Sequence, residues 1–182
     1  VVETLNRVAT DEGKVNDNNT PLHLMKPAYR VGYGVSAKER VKATMDRVLR
    51  YIDAETPAQL VDKKTGEAVT DMKKITADTQ LKQGGFRLTS YEWGVTYSAM
   101  MAAYQATGDV AYRNYVYERY RLLAAAAPHF MRLSKQGKKI DPVMRKVVDP
   151  QALDDAGAVC SSMIKASVAD KSLQLGALIN TT

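Results

Sequence analysis

Apolar residues recur at intervals of three and four in four segments of the chain, which predicts four amphipathic helices. The first follows Ser36, where Glu39 three residues later completes a capping-box pattern. This helix has to end before Pro57, because proline disfavours helical geometry at the residue that precedes it. The last helix is predicted to start at Asp149-Pro150, since aspartate is a common N-cap and proline is favoured at the first helical position.

The two central helices are predicted over 90–107 and 110–126. Gly108 stands where a helix C-cap favours positive φ, and Asp109 follows it directly as the N-cap of the next helix. The second of these helices is expected to end before Pro128. A connection this short predicts an antiparallel helical hairpin.

The remaining segments carry turn signals in place of helical periodicity. Residues 1–34 are predicted to form an irregular N-terminal arm. Between 57 and 88, a turn at 62–66 is flanked by β-prone pieces at 59–61 and 68–70, which predicts a long connection containing one small β-hairpin. The pattern as a whole therefore predicts an all-α fold with antiparallel helical hairpins.

The amino-acid composition is consistent with an all-α globular fold, but it does not distinguish between possible functions. The chain has 182 residues, of which 45% are hydrophobic and 25% charged, as in ordinary globular proteins. No apolar run is long enough for a transmembrane helix, and the first residues lack the pattern of a signal peptide. The single cysteine, Cys160, lies among small residues and is expected to pack in the core.

A formal net charge of +6 indicates an affinity for anions. The basic residues are interleaved with acidic ones, and their only local cluster, at 132–139, is interpreted as a solvated surface loop. No dense basic stripe or nucleic-acid-binding module is present, so no nucleic-acid partner is expected. An anionic sugar is compatible with the charge.

Asp154 and Asp155 are the strongest candidates for chemistry. Both fall near the start of the last predicted helix, where the helix dipole favours negative charge, and this alone could explain them. Adjacent helical positions diverge by about 100°, so one carboxylate can point into a cavity while the other bonds the backbone. The small residues that follow, Ala156, Gly157 and Ala158, would allow a helix or ligand to approach closely.

Trp93 is the only tryptophan and lies at a predicted helix start, where it could be either a core residue or a platform for a sugar ring. Glu92 beside it is interpreted as another first-turn acid. His23 and His129 have no carboxylate or cysteine at ligand spacing, so neither a metal nor another cofactor is expected. Phosphate-loop and serine-hydrolase motifs are absent from the sequence.

Several motifs, taken in their order and spacing, resemble glycoside hydrolase family 105, the unsaturated rhamnogalacturonyl hydrolases related to family 88. They are Lys26-Pro-Ala-Tyr-Arg-Val-Gly-Tyr-Gly34, Val41–Asp53, the Trp93–Tyr112 hairpin with its Thr-Gly-Asp turn, and Leu153-Asp-Asp-Ala-Gly157. The family folds as an (α/α)6 barrel about twice this length. The resemblance implies that 35–182 form the N-terminal half of such a catalytic domain, a partial barrel.

The activity implied is removal of a 4,5-unsaturated uronic acid from the non-reducing end of lyase-generated oligosaccharides, a step of polysaccharide degradation. In the family, a carboxylic acid protonates the C4=C5 vinyl ether of the sugar and water adds at C5. The resulting hemiketal then opens and expels the rest of the sugar chain. The residue carried over is the assisting carboxylate, which matches Asp155 or Asp154. The family's main acid–base Asp lies in a Trp-Leu-Asp motif, and the chain has no such motif. The isolated chain is therefore expected to be inactive without a missing C-terminal half.

Two other classes remain open. One is a helical-repeat interaction module, because 93–120 resembles a tetratricopeptide helix pair, although the pattern does not recur after 34 residues. The other is a different (α/α)6 glycosidase or polysaccharide lyase. The resemblance favours a periplasmic or secreted bacterial protein that is not membrane-bound, with a cytoplasmic location as the alternative.

Overall fold

The computed structural model of the protein describes residues 35–182, which are mainly helical. The predicted arm at 1–34 lies outside the described residues. Elements α1 to α6 and the two strands belong to one compact unit, Lys38–Thr182. In chain order they are α1 (Lys38–Glu55), β1 (Leu60–Asp62), β2 (Thr79–Leu81), α2 (Tyr91–Thr107), α3 (Val110–Lys135), α4 (Pro142–Val148), α5 (Leu153–Ala169) and α6 (Gly176–Thr181), with 3-10 turns at Met72–Lys74 and Lys171–Leu173. The all-α class with one small β-hairpin is confirmed.

The hairpin of α2 and α3 is built as its turn residues predict. Gly108 adopts φ 73° and its N–H donates to the Tyr104 carbonyl, which closes α2. The Asp109 carboxylate accepts from the Ala111 N–H and opens α3. The Arg113 guanidinium lies 5.0 Å from the ring centre of Tyr104, just across the turn. Further along, Tyr97 faces Tyr120 at 4.8 Å, so the two helices run antiparallel.

The predicted end of α3 before Pro128 is wrong, because the helix continues to Lys135. Proline inside a helix removes a backbone hydrogen bond and crowds the preceding turn, at a cost of about 3 kcal/mol. Beyond it, Phe130 and Leu133 are buried in the core. Burying two large side chains contributes roughly 1.5–3 kcal/mol each, which outweighs that local cost.

Helix α1 ends at Glu55, before Pro57, as predicted, but it begins at Lys38, so Ser36 is not directly before the helix. Of the apolar face predicted for this helix, only Ile52 is buried. Val41 remains 46% exposed. The apolar packing of the helix is therefore concentrated at its C-terminal end, while Lys42 and Asp46 connect its first half to Asp109 and Tyr112 through polar contacts.

The small sheet pairs β1 with β2 antiparallel, with Leu60 opposite Leu81. The first β-prone piece of the sequence is thus a strand, but the second, 68–70, is not. It contributes only an isolated bridge from Ala68 to Val61. The strand at 79–81 was not predicted, because its pattern of one polar residue between two buried ones is too short to stand out.

The N-cap predicted at Asp149 is also wrong, because Asp149 ends helix α4. The same Asp-Pro signature occurs eight residues earlier, where Asp141 accepts from the Val143 N–H and Pro142 begins α4. Helix α5 then starts at Leu153 without a side-chain cap of its own. Both aspartates of interest lie in its first turn, as predicted.

Helices α2 and α5 cross in unusually close contact, which positions the first turn of α5. A Cβ added at Gly94 would lie 2.6 Å from the Val159 nitrogen and would also meet the Ala158 backbone. By contrast, a Cβ at Gly157 would meet nothing within 4 Å. Another helix does approach the small residues after Asp155 closely, as expected. The glycine that this contact requires is Gly94 on α2, however, and not Gly157 on α5. No helix within residues 35–182 is both long and apolar enough to cross a membrane.

Candidate functional site

Asp155 connects three helices at one end of the structure. Its Oδ1 accepts a hydrogen bond from the Tyr91 N–H at 2.7 Å, at the start of α2. Its Oδ2 lies 2.5 Å from Lys146 Nζ, on α4. Ser90, the N-cap residue of α2, makes no capping hydrogen bond with its side chain. Asp155 therefore caps α2 from another helix, which satisfies one of the backbone N–H groups exposed at a helix start.

The two adjacent aspartates diverge as helical geometry predicts. The Asp154 side chain is exposed and accepts from the backbone N–H of Asp155 at 2.9 Å. Asp155 is partly buried, with 17% of its side chain exposed, and lines a cavity. Of the pair, only Asp155 is in position to contact a ligand in that cavity.

Hydrogen bonding to Lys146 lowers the pKa of the Asp155 carboxyl below its usual value. The Tyr91 N–H and the nearby Arg87 charge lower this pKa further, while partial burial opposes them. Asp155 is consequently a carboxylate at neutral pH. It can accept hydrogen bonds and stabilise positive charge, but it holds no proton to donate.

The cavity beside Asp155 is open and has a volume of about 510 Å³, within the usual range for small-molecule sites. It joins the loop before α2, the first turn of α2, α4 and the first turn of α5. Its walls combine aromatic, cationic and carboxylate groups, contributed by Gly85, Phe86, Arg87, Ser90, Glu92, Trp93, Lys146 and Asp155.

Trp93 is mainly a core residue, since only 5% of it is exposed. Its indole N–H donates to the Tyr115 hydroxyl at 2.8 Å. One ring face stacks on Phe86, with centroids 4.5 Å apart and planes inclined by 24°. Phe86, which is 39% exposed, thus offers more aromatic surface to the cavity than Trp93 does. Phe86 was not among the residues predicted from the sequence, and the Gln-Gly-Gly turn directly before it was the available signal.

Glu92 provides a second carboxylate at the cavity. A hydrogen bond with the Ser90 side chain, supplemented by the Glu92 backbone N–H, lowers the pKa of this carboxyl. The neighbouring Asp155 charge acts in the opposite direction. The cavity therefore contains two carboxylates and two cations at neutral pH.

Within residues 35–182, no group of three or more side chains of the metal-binding types is arranged to hold a metal ion. Cys160 is partly buried against the core, and its thiol lies 3.8 Å from the Ile179 carbonyl oxygen. The ring of His129 is partly buried on α3, apart from the cavity-lining residues. His23 lies outside the described residues.

In comparisons with known proteins, no protein-family model matches the chain and no curated protein matches it.

Proposed function

We propose that this chain is part of a glycoside hydrolase that removes a 4,5-unsaturated uronic acid from lyase-generated oligosaccharides by vinyl-ether hydration. The observation that carries the proposal is the partly buried, ionised Asp155 at the wall of an open cavity. The motif resemblance of 93–112 and 153–157 supplies the reaction class. On this proposal, residues 35–182 form half of an (α/α)6 barrel in a periplasmic or secreted enzyme.

The chemistry of the cavity suits a charged sugar ring. Carboxylate oxygens accept hydrogen bonds from sugar hydroxyls, and aromatic rings pack on the apolar face of a pyranose. Phe86 provides the aromatic surface, and Asp155 and Glu92 provide the acceptors. Arg87 and Lys146 supply positive charge for an acidic sugar.

Asp155 would act as the assisting carboxylate of the reaction. Hydration of a vinyl ether needs a proton donor and a base that activates water. The lowered pKa of Asp155 excludes it as the donor at neutral pH but suits a group that bonds the sugar and holds a neighbouring acid in its protonated form. The Trp-Leu-Asp motif that provides this acid in the family has no counterpart among the 182 residues. The proposed reaction therefore requires a second carboxylic acid from outside this chain.

The contacts of Asp155 also have a purely structural explanation, because the carboxylate caps α2 and pairs with Lys146. A structural role and an assisting role make different predictions for a neutral isostere. Asp155→Asn keeps the shape of the side chain and removes its charge. A structural residue would then change stability alone, while an assisting residue would change turnover in protein that is still folded.

The test is hydrolysis of an unsaturated uronyl disaccharide by the polypeptide of the intact gene, followed through loss of the ultraviolet absorbance of the double bond. We expect Asp155→Asn to bind substrate and to lose turnover by about 10² or more, as removal of a positioned catalytic charge does. Asp154→Asn is the matched control one residue away, and it should lose about 1 kcal/mol of stability or less, with turnover near wild type. Wild-type turnover in both variants would mean that the aspartates are only helix-start charges.

A further inference from the structure

Two cations line the cavity, and they differ in whether their charge is already paired. The Lys146 ammonium is held by Asp155 at 2.5 Å. The Arg87 guanidinium forms no ion pair with any of residues 35–182, and none of them accepts a hydrogen bond from it. Among residues 35–182 the donors of Arg87 are therefore available to a ligand, and a guanidinium binds a carboxylate through two parallel hydrogen bonds.

The loop that carries Arg87 is fixed at several points. A Cβ at Gly84 would collide with the Glu55 carbonyl oxygen and would lie 2.8 Å from Pro57 Cδ, so the loop rests directly on the end of α1. Behind Arg87, the Leu88 carbonyl accepts from the Tyr97 hydroxyl at 3.0 Å. The backbone of Arg87 is thus held in place before any ligand binds, which reduces the entropic cost of binding.

The residue before Arg87 presents an aromatic surface to the same cavity. Phe86 stacks on Trp93 and receives the edge of Tyr51 at a centroid distance of 6.1 Å. Tyr51 and Phe86 are both exposed, while Trp93 is largely buried and stacks on Phe86. An aromatic face directly beside a guanidinium that has no ion pair within residues 35–182 matches a sugar ring that carries a carboxylate.

The distribution of charge also orients such a ring. Asp155 and Glu92 are carboxylates at the α5 and α2 side of the cavity, and they repel a ligand anion. They can instead accept hydrogen bonds from hydroxyl groups. The carboxylate of the sugar then lies toward the loop, where Arg87 is located.

We propose that Arg87 is the residue that selects an acidic sugar, by binding the uronate carboxylate while the ring packs against Phe86. This inference rests on the proposed function and names the group that recognises its substrate class. It concerns binding alone and needs neither the acid–base residue nor turnover.

The test uses the 182-residue chain and two saturated probes that cannot react: a galacturonic acid disaccharide and its neutral galactose counterpart. Trp93, the single tryptophan, lies at the cavity, so its fluorescence reports occupancy there. We expect the acidic probe to bind about tenfold or more tightly than the neutral one, and this preference to weaken with added salt. Arg87→Gln should abolish the preference, and Arg87→Lys should keep part of it, because lysine retains the charge but not the paired donors.

Two control variants remove the same charge elsewhere. Arg145→Gln changes a smaller neighbouring cavity of about 250 Å³ that Arg87 does not line. Arg47→Gln changes an exposed position on α1. Both should retain the preference for the acidic probe. The inference is overturned if wild type shows no preference, if folded Arg87→Gln keeps it, or if Arg145→Gln loses it.

The binding result and the hydrolysis result separate the two proposals. If the acidic probe binds through Arg87 and the intact gene product hydrolyses no unsaturated uronide, the inference on Arg87 stands and the proposed reaction fails. If hydrolysis depends on Asp155 and binding is indifferent to Arg87, the reaction stands and the inference on Arg87 fails.

Discussion

Two charged clusters join helices in this structure, and they differ in how completely their polar groups are paired. The Arg119 cluster, defined by Arg119, Asp53, Thr56 and Tyr115, connects the end of α1 to α3. Only 2% of the Arg119 side chain is exposed. Its Nη2 donates to the Thr56 carbonyl at 2.7 Å and to the Asp53 carboxylate at 2.8 Å, and its Nη1 donates to the Tyr115 carbonyl.

The Asp155 cluster, defined by Asp155, Lys146 and the Tyr91 N–H, connects α5 to α4 and α2. It lies at a cavity wall, and Arg87, which lines the same cavity, has no ion pair within residues 35–182. The Arg119 guanidinium, by comparison, has hydrogen bonds on all three nitrogens and lies 3.8 Å from the Tyr115 ring centre.

Under the proposed function, the contrast predicts a structural role for the Arg119 cluster and a ligand-binding role for the groups at the cavity. A buried charge with every donor satisfied has no capacity left for a ligand, and its removal leaves backbone carbonyls without partners. A partly buried charge at a cavity can bind a ligand without first breaking the fold. We therefore expect substitutions in the Arg119 cluster to affect stability, and those at the cavity to affect binding or turnover more than stability.

Arg119→Met should give the largest loss of stability. The substitution retains much of the apolar volume but leaves the Thr56 carbonyl at the end of α1 unpaired, and it removes the cation from the Tyr115 ring. We expect a loss of about 3 kcal/mol in the free energy of unfolding, measured by urea denaturation. Arg121→Met is the control, since Arg121 is 58% exposed and 3.9 Å from Asp170. Its loss should be below about 1 kcal/mol. Equal losses in the two variants would contradict the distinction drawn between the clusters.

The sequence predicted those parts of the fold that depend on local chemistry. The junction at Gly108 and Asp109 is set by backbone conformation and capping within a few residues, and the structure confirms it. The Asp-Pro signature occurs twice, at 141–142 and 149–150, and local rules cannot choose between the two. Tertiary packing decides, because Met144, Val147 and Val148 of α4 are buried.

The difference between local chemistry and tertiary packing also explains which residues of the candidate site could be predicted from the sequence. Helical geometry predicted that the side chains of Asp154 and Asp155 diverge, but it did not decide which of them faces the cavity. Lys146, the partner of Asp155, lies on α4, which was not predicted, and its other partner, the Tyr91 N–H, is 64 residues away in the chain. Phe86 and Arg87 lie on a loop that rests against the end of α1 at Gly84. The two glycines mark this loop in the sequence, but they do not show which element the loop contacts.

Gly94→Ala should give the next largest effect, and it tests whether the Asp155 cluster depends on the close approach of α2 to α5. The new methyl group would collide with the Ala158–Val159 backbone, which has no flexible side chain to move aside. Overpacking of this kind costs about 1–3 kcal/mol.

Gly157→Ala is the matched substitution on α5, where nothing lies within 4 Å of the new Cβ. It should stabilise by about 0.5–1 kcal/mol, the difference in helix propensity. Thermal unfolding of both variants measures the contrast, and a stabilised Gly94→Ala would refute the close contact.

Asp155→Asn should destabilise the fold less than Arg119→Met or Gly94→Ala, and the pH dependence of this loss measures the contribution of the Asp155 charge to stability. The pKa of Asp155 is lowered in the folded protein, mainly by Lys146, so the carboxylate stabilises the fold at pH values above the ordinary aspartate pKa of about 3.9. This stabilisation is lost as pH falls toward the folded-state pKa. We therefore expect the variant to be about 1 kcal/mol less stable than wild type at pH 7 and the difference to shrink below about pH 4. Urea midpoints measured between pH 7 and pH 3 test this.

Asp154→Asn, which removes an exposed carboxylate from the same helix turn, should give the smaller difference at pH 7. A difference for Asp155→Asn that stays constant across the pH range would mean that side-chain shape, and not the ion pair with Lys146, accounts for its contribution.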